Sequence, residues 1–551
     1  MSKSSTRSRA TRLGLVAVAI SGLLMAACSG EADKSADTKA PETTEGSAGT
    51  TADTSTGDTS TGDTTPTDTV VTDTTPGDTT PSDSIPGYDD PRGQIFADFQ
   101  ASYARSGPFE SLDSFCMPNE PAADRVATDP GITADTIVIH HMRQQLEKLK
   151  DIGFAVEIGD TKAMFEAFVN EINENCGGIR GRKLDLGMSE FNPLGDFAAE
   201  SNAACVEATE DRKAVIALNS SGFQGPAILC LTEEHDTILI TTQGLSTEFA
   251  ERSGGRLFTL DAGLNESLTA LAKYAATNGL LEGKTIGVIG QDTGGQPEAV
   301  QSGLIDELKT LGYEVAVHDT LGCNGGSSCG EGLQESVSNM LAAGVDVLIP
   351  TLNVTSFPGY LGEMVTQGYK PGDVQFMVSN FNSATGDLVS SKAVAFGGEA
   401  AGNLYNGAIM TDAAATGNFR LPGAEIPPFN RMCLETYEKN GGPAYDYFDG
   451  VGNTQAGMVA TVCTQMRLMA RAIYNAGDNP TRADIQKALA NLGPIDNNNM
   501  TPASLTAGKN STVDAFQAMK WTYPCEFGAD NSFDANNTCV VPSGEYYSIR
   551  D

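Results

Sequence analysis

Short apolar runs alternate with amphipathic segments from residue 131 to about residue 378, and no other feature constrains the fold as tightly. The runs are Thr136-Ile137-Val138-Ile139, 184–191, 214–218, Thr237-Ile238-Leu239-Ile240 and Leu257-Phe258-Thr259-Leu260. A second series follows at 285–289, 313–317, 345–349 and 374–378. Helical patterns fill the gaps, at 197–210, 265–277, 332–343 and 357–368 among others. Strands joined through helices run in the same direction, so the pattern predicts parallel sheets. Two successive series predict two doubly wound α/β lobes, and a chain of 551 residues has room for both.

One connection can be read in detail. Phe165, Phe168, Val169 and Ile172 fall on one face of a helix. Gly177-Gly178 stops it, because glycine enters the left-handed cap conformation without steric cost. Gly181-Arg182-Lys183 then leads into a strand in which Leu184, Leu186 and Met188 alternate. The glycines look like a phosphate cradle, but they follow a helix and precede a strand. That is the wrong end of a parallel sheet for a ligand. The stretch is expected to be a scaffold turn.

The first ninety residues are of another kind. Lys3, Arg7, Arg9 and Arg12 form a positive region ahead of a short apolar stretch, 13–25. That stretch ends in Met25-Ala26-Ala27-Cys28, which resembles a bacterial lipoprotein box. The resemblance implies a signal peptide over 1–27 and a lipid on the Cys28 thiol. Residues 28–90 are rich in Thr, Asp, Ser, Gly and Pro, with an Asp at every fifth position from Asp53 to Asp83. Without apolar residues such a segment cannot offset its ordering entropy, and it reads as a disordered tether. Residues 91–130 read as a lead-in arm, with Ile95, Phe96, Phe99 and Tyr103 on one helix face.

Charge and cysteines bound the partners. The chain carries 71 acidic and 35 basic residues, a net charge of −36, and no basic patch. This argues against a nucleic-acid partner. Apart from Cys28, ten of the eleven cysteines remain, an even set that outside the cytoplasm suggests disulfides. Connectivity does not follow from the sequence. Nearness in the chain favours Cys323–Cys329 and Cys525–Cys539, then Cys176–Cys205 and Cys433–Cys463, leaving Cys116–Cys230. Metal spacing such as CxxC or HExxH is absent, and no metal or cofactor is expected.

Ligands of open α/β sheets lie beyond the carboxyl ends of the strands. That rule selects Arg143 after strand one, Ser220, Ser221 and Gly222 after strand three, and Thr242 and Gln243 after strand four. In the second series it selects Asp292, Asn353 and Asn380, and Tyr405 is added as a hinge residue. The bland alternative for each is turn chemistry or helix capping, at which Ser, Thr, Asn and Asp are effective. His140 and His141 are adjacent in a strand and must point to opposite faces, which disfavours a shared metal. Residues 326–330 formally match Gly-x-Ser-x-Gly around Ser328, but a polar loop with a cysteine on either side is no nucleophile elbow. No catalytic residue is expected.

Several of these residues together resemble a known family. They are Gly131-Ile132-Thr133, the run Ile172-Asn173 through Gly177-Gly178-Ile179 to Gly181-Arg182-Lys183-Leu184, and the strand before Ser220-Ser221-Gly222. Gly493-Pro494-Ile495 and Phe516-Gln517-Ala518-Met519-Lys520-Trp521 add to the likeness. From about 131 to 525 the chain is similar to type I periplasmic binding proteins, in the branched-chain amino-acid (Leu/Ile/Val) binding branch of ABC importers. The resemblance implies lobe 1 over 131–262 and 403–500 and lobe 2 over 263–402 and 501–551. Crossings are then expected near 261–264, 400–404 and 499–503. It also implies a monomer on the outer face of the bacterial cell membrane, held there by its lipid. Such a protein captures a small polar ligand, an amino acid, an amide or a related compound, by hinge closure and delivers it to an ABC permease. A sensor or adaptor lipoprotein of the same fold is the alternative. Amino-acid binders of this branch place a carboxylate near the position of Asn380, where this chain has an amide. Asp292 is the expected replacement.

Overall fold

The computed structural model describes residues 115–548, apart from 119, 153–154, 325–327 and 500–502. The expected signal peptide, Cys28, the expected tether and most of the expected lead-in arm lie outside the described residues.

The first sheet has the order β2-β1-β3-β4-β5, all parallel. Its strands are β1 (Thr136–Gln144), β2 (Lys183–Phe191), β3 (Ile216–Asn219), β4 (Ile238–Thr241) and β5 (Leu257–Thr259). β1 outruns its expected apolar run because all nine of its residues pair with β2, from Thr136 opposite Lys183 to Gln144 opposite Phe191. Helix Thr161–Asn170 buries Met164, Phe165 and Phe168 on one face of this sheet. Helix Phe197–Val206 buries Ala204 and Cys205 on the other, against Ala217 and Leu239.

The scaffold turn has the expected form. Gly177 and Gly178 take φ of +76° and +84°. The amide of Gly178 closes the helix end onto the Ile172 carbonyl at 2.8 Å. The side chain of Asn173 then grips β2, donating to the Leu184 carbonyl at 2.8 Å and accepting from its amide at 2.7 Å. Arg182 is 1% exposed. It donates to the carbonyls of Thr133, Asp478 and Val126 and to the Asn479 side chain. Burial, with Arg125 nearby, depresses its pKa.

The second sheet has the order β14-β13-β10-β9-β8-β6-β7. Its parallel part is β6 (Ile286–Gln291), β7 (Val315–Leu321), β8 (Val347–Pro350), β9 (Gln375–Ser379) and β10 (Ile409–Asp412). A ribbon of β11 (Gly493–Pro494) and β12 (Ser504–Leu505) stands apart. β13 (Ala515–Thr522) runs antiparallel to β10, and β14 (Cys539–Ser548) antiparallel to β13. The two expected series are parallel, and β13 and β14, which lie beyond them, add an antiparallel edge. No crossover helix separates β13 from β14, and without one the chain can only return antiparallel.

Five disulfides are present among the described residues. Cys323–Cys329, Cys433–Cys463 and Cys525–Cys539 are as expected. The other two correct the expectation: Cys116 pairs with Cys176, and Cys205 with Cys230. Cys176 belongs to the core on one face of the first sheet, and Cys205 and Cys230 to the core on the other. A disulfide spans only about 4.4–6.8 Å between Cα atoms, too little to reach through a sheet.

The chain crosses between the lobes later than expected at its second and third passages. Helix Gly398–Tyr405 feeds β10, which lies in the second sheet, so the second passage follows Asp412 rather than 400–404. Helix Gly450–Asn475 then packs into the first core, with Ala456, Val459 and Met466. Ala503 and Leu505 still belong to that core, which puts the third passage beyond 505. The three passages meet in a small apolar cluster of Ala262, Ala413 and Val513 with Ala270 and Phe516. The first and third also pair as backbone, the Thr259 amide donating to the Asn510 carbonyl at 2.8 Å and the Thr512 amide to the Thr259 carbonyl at 2.9 Å.

Candidate functional site

A cavity of about 400 Å³ lies between the two sets of strand ends. Each sheet contributes through the residues that follow its strands. From the first come Gln144 at the end of β1, Ser220, Ser221 and Gly222 after β3, and Thr242 and Gln243 after β4. From the second come Thr293 after β6, Asn353, Val354 and Thr355 after β8, and Asn382 and Ser383 after β9. Asp261 and Ala414 enter from the first two passages. Thr454, Met458 and Thr461 enter from the long helix Gly450–Asn475. Leu146, Leu149, Val156, Ile158, Leu388 and Val389 give the cavity an apolar side. Mixed walls of this kind suit a small ligand with an apolar body and a few polar groups.

Six of the ten expected site residues line the cavity: Ser220, Ser221, Gly222, Thr242, Gln243 and Asn353. Local bonding already engages some of them. The Thr242 hydroxyl donates to the Ser220 carbonyl at 2.8 Å. Gln243 accepts from Gln224 at 2.7 Å. Asn353 Oδ1 accepts from the amides of Thr355 and Ser356, so its side chain serves the turn as well as the wall. Behind them Asn219 braces the floor, donating to the carbonyls of Met142 and Ser221 at 2.8 Å each.

The remaining four lie elsewhere. Arg143 is held by Glu190 at 2.5 Å and Glu147 at 2.9 Å. Successive residues of a strand face opposite ways, and it is Gln144 that reaches the cavity. Asp292 accepts from the Cys323 amide at 2.8 Å and braces the disulfide loop. Tyr405 is 1% exposed, packed between Phe357, Phe376 and Trp521 within the second lobe. Asn380 sits behind the wall, donating to the Asp261 carboxyl and accepting from Thr385 at 2.7 Å.

Asp261 is the residue that sequence reading missed. It is the one ionisable side chain on the described wall of the cavity. Burial and the nearby Asp412 raise its carboxyl to about 8, and bonds from the Ala262 amide and Asn380 offset this only in part. Burial also raises Asp412, against bonds from Thr385 and Thr416. An aspartate just past a short strand gives no periodic signal, so only the passage of the chain between lobes marks it.

Other singled-out residues serve the frame. His140 donates or accepts at Ser189 Oγ, 2.6 Å away, and His141 packs on Phe165 with ring centroids 4.1 Å apart. Their environments lie on opposite faces of the sheet, as the alternation requires. Ser328 is exposed in the loop that Cys323–Cys329 closes. Lys392 of the second lobe donates to the Ala155 carbonyl of the first at 3.0 Å. No described helix is long and apolar enough to cross a membrane.

Solved structures share this architecture at low identity. The solute-binding protein of an ABC transporter from Rhodopseudomonas palustris HaA2, in complex with p-hydroxybenzoic acid, superimposes with a TM-score of 0.54 at 14% identity, covering 76% of this chain and 98% of that one. The fatty acid ABC transporter substrate-binding protein from Thermomonospora curvata gives 0.52 at 15% identity, over 77% and 95%. The leucine-, isoleucine-, valine-, threonine- and alanine-binding protein from Brucella ovis, in a closed conformation, gives 0.50 at 14%, over 75% and 96%. No curated protein sequence matches the chain. The family model described as periplasmic binding protein matches residues 155–525, and the chain belongs to that family.

Proposed function

We propose that this protein captures a small amphipathic solute between its lobes and delivers it to the permease of an ABC importer. The observation that carries the reading is the cavity of about 400 Å³, walled by the carboxyl ends of both sheets and by the passages between them. Passages of small residues such as Ala262 and Ala413 leave room for the lobes to turn about them. Closure excludes water and turns the free polar groups of both lobes onto one ligand. Amino acids, amides and related compounds remain the expected class, with the body of the ligand against Leu388, Val389 and Met458. The lipid on Cys28 holds the protein, as a monomer, at the outer face of the cell membrane, and the tether of 28–90 gives it reach.

Thermal shift of the full chain across amino acids, amides, ureas and short organic acids tests the reading. A saturable rise in melting temperature with at least one of them is expected, since a ligand that binds only the folded state stabilises it by mass action. Chemical turnover of the bound compound would contradict it. Binding without transport, in cells that lack a permease encoded beside it, would favour a sensor or adaptor instead.

A further inference from the structure

The described cavity wall carries one acid and no base. Asp261 faces the cavity, and its carboxyl is linked through Asn380 and Thr385 to Asp412. Thr385 Oγ1, whose one proton goes to Asn380, also lies 2.6 Å from Asp412 Oδ1, and the Thr416 amide donates to Oδ2 at 2.8 Å. Every described group on these two carboxyls is neutral: the amides of Ala262, Ala414 and Thr416, and the side chains of Asn380, Thr385 and Thr416. Tyr547 also faces Asp412, with its phenol held neutral by burial. Glu266, on the helix after the first passage, turns to the Gly263 amide and Ser511 and adds no positive charge. Among the described lining residues there is no Lys, Arg or His. A buried acid without a cation is costly unless it holds its proton or meets a positive charge.

We propose that Asp261 is the counter-ion for a positively charged nitrogen of the ligand, so that the cavity takes an organic cation or zwitterion with an apolar body. This rests on the solute-binding reading above and names the ligand chemistry for that cavity. The open space lies on the ligand side of Asp261, while Asn380 and the Ala262 amide hold the carboxyl from behind. The same cavity offers apolar residues for its body, Leu388 and Val389 from the second lobe and Met458 from the first. Ser220 and Ser221 stand ready on the first-lobe wall for a second polar group.

The proposal has a proton balance. In the empty cavity the Asp261–Asp412 pair keeps a proton on Asp261 up to about pH 8. An ammonium needs the ionised carboxylate, so below that pH binding expels one proton, from Asp261 to solvent. Affinity must therefore rise with pH, roughly tenfold per unit, until the free carboxyl has titrated. A ligand that instead accepts a hydrogen bond from the protonated carboxyl would show the opposite sign, weakening as pH passes 8.

Titration calorimetry of the full chain tests this with compounds that share a phenyl body: phenethylamine, its N,N,N-trimethyl derivative, phenylalanine, 2-phenylethanol and phenylacetate. The trimethyl compound keeps its charge at every pH, and comparison with phenylalanine separates simple cations from zwitterions. Binding of a cation or of phenylalanine is expected to tighten about fiftyfold from pH 6 to pH 8. It should release close to one proton at pH 6.5, read from buffers of different ionisation enthalpy. Asp261→Asn should weaken it about a hundredfold at pH 8 and remove the slope. Asp412→Asn should move the slope to lower pH and tighten binding at pH 6.5, which a merely structural role for Asp412 does not produce. A cation that binds without slope, or equally to Asp261→Asn, overturns the proposal. Binding of 2-phenylethanol or phenylacetate alone also overturns it and leaves the solute-binding reading standing. Failure of every charged-nitrogen probe overturns it too, while the broader thermal-shift panel decides separately whether the cavity binds solutes.

Discussion

Asn380 donates its side-chain amide to the carboxyl of Asp261, tying the end of β9 to the first passage between the lobes. The amide stands where the resemblance puts a carboxylate in amino-acid binders, and the carboxyl that reaches the cavity is Asp261, not the expected Asp292. Replacing Asn380 by Leu removes the donor and leaves a buried carboxyl short of a partner. Such a loss costs about 1–3 kcal/mol. The expected result is a lower melting temperature and a weaker ligand complex, read by calorimetry of the free and bound protein. An unchanged pair of values would show that the contact is idle.

The second prediction concerns pH. His140 and His141 are buried and neutral, held down to about 4 and about 3, first by burial and then by Arg212 and Arg143 respectively. A histidine whose folded pKa is depressed takes up a proton more readily when unfolded. Stability is therefore fully present above about pH 6.5 and is lost as pH falls below it, levelling off only near pH 3–4. The two together are worth several kcal/mol, roughly 1.4 for each unit of depression. Denaturant melts from pH 7.5 to 4.5 should show this fall, and His141→Leu should flatten it. An equal slope in the variant would assign the acid loss to other groups.

Lys392 carries the third prediction. Its ammonium reaches from the second lobe to the first-lobe Ala155 carbonyl at 3.0 Å, and burial depresses its pKa. Lys392→Met keeps most of the side-chain volume and removes the donor. The ligand is then expected to leave about three- to tenfold faster with little change in association rate, because the tie exists only when the lobes approach. Stopped-flow measurement separates the two rates, and a change confined to association would contradict the assignment.

Gly178 gives the fourth. At φ of +84° an added Cβ would meet the Arg182 carbonyl oxygen at 2.4 Å. Gly178→Ala should cost about 1–3 kcal/mol of stability and leave ligand affinity unaltered at temperatures where the variant is folded. Loss of binding in a folded variant would move this turn from frame to site.

Much of this arrangement could be read from residues alone. Apolar runs marked the inner parallel strands, which are buried on both faces, and alternation marked the edge strand β2. Ser220, Ser221, Gly222, Thr242 and Gln243 followed from the rule that ligands gather beyond strand ends. What escaped depends on distance in the chain. Asp261, Met458 and Asn498 meet at the cavity from three separate segments, and nothing local ties them together. Arg143 failed as a candidate because Glu190, on the neighbouring strand, neutralises it. Tyr405 failed because the passage thought to contain it comes after β10, not before it. The exchanged pairing of Cys116, Cys176, Cys205 and Cys230 turned on which face of the first sheet each occupies, which spacing does not encode.

The most direct test of the central claim blocks the cavity from each side. Ser221→Trp fills it from the first lobe and Val389→Trp from the second, both with residues that line it. For the compound with the largest thermal shift, calorimetry should find one site per chain. Each variant should weaken that site ~100-fold or more, equal to about 2.7 kcal/mol, while keeping a cooperative melt. Binding that survives both substitutions at full affinity would place the solute outside the cleft and contradict the account.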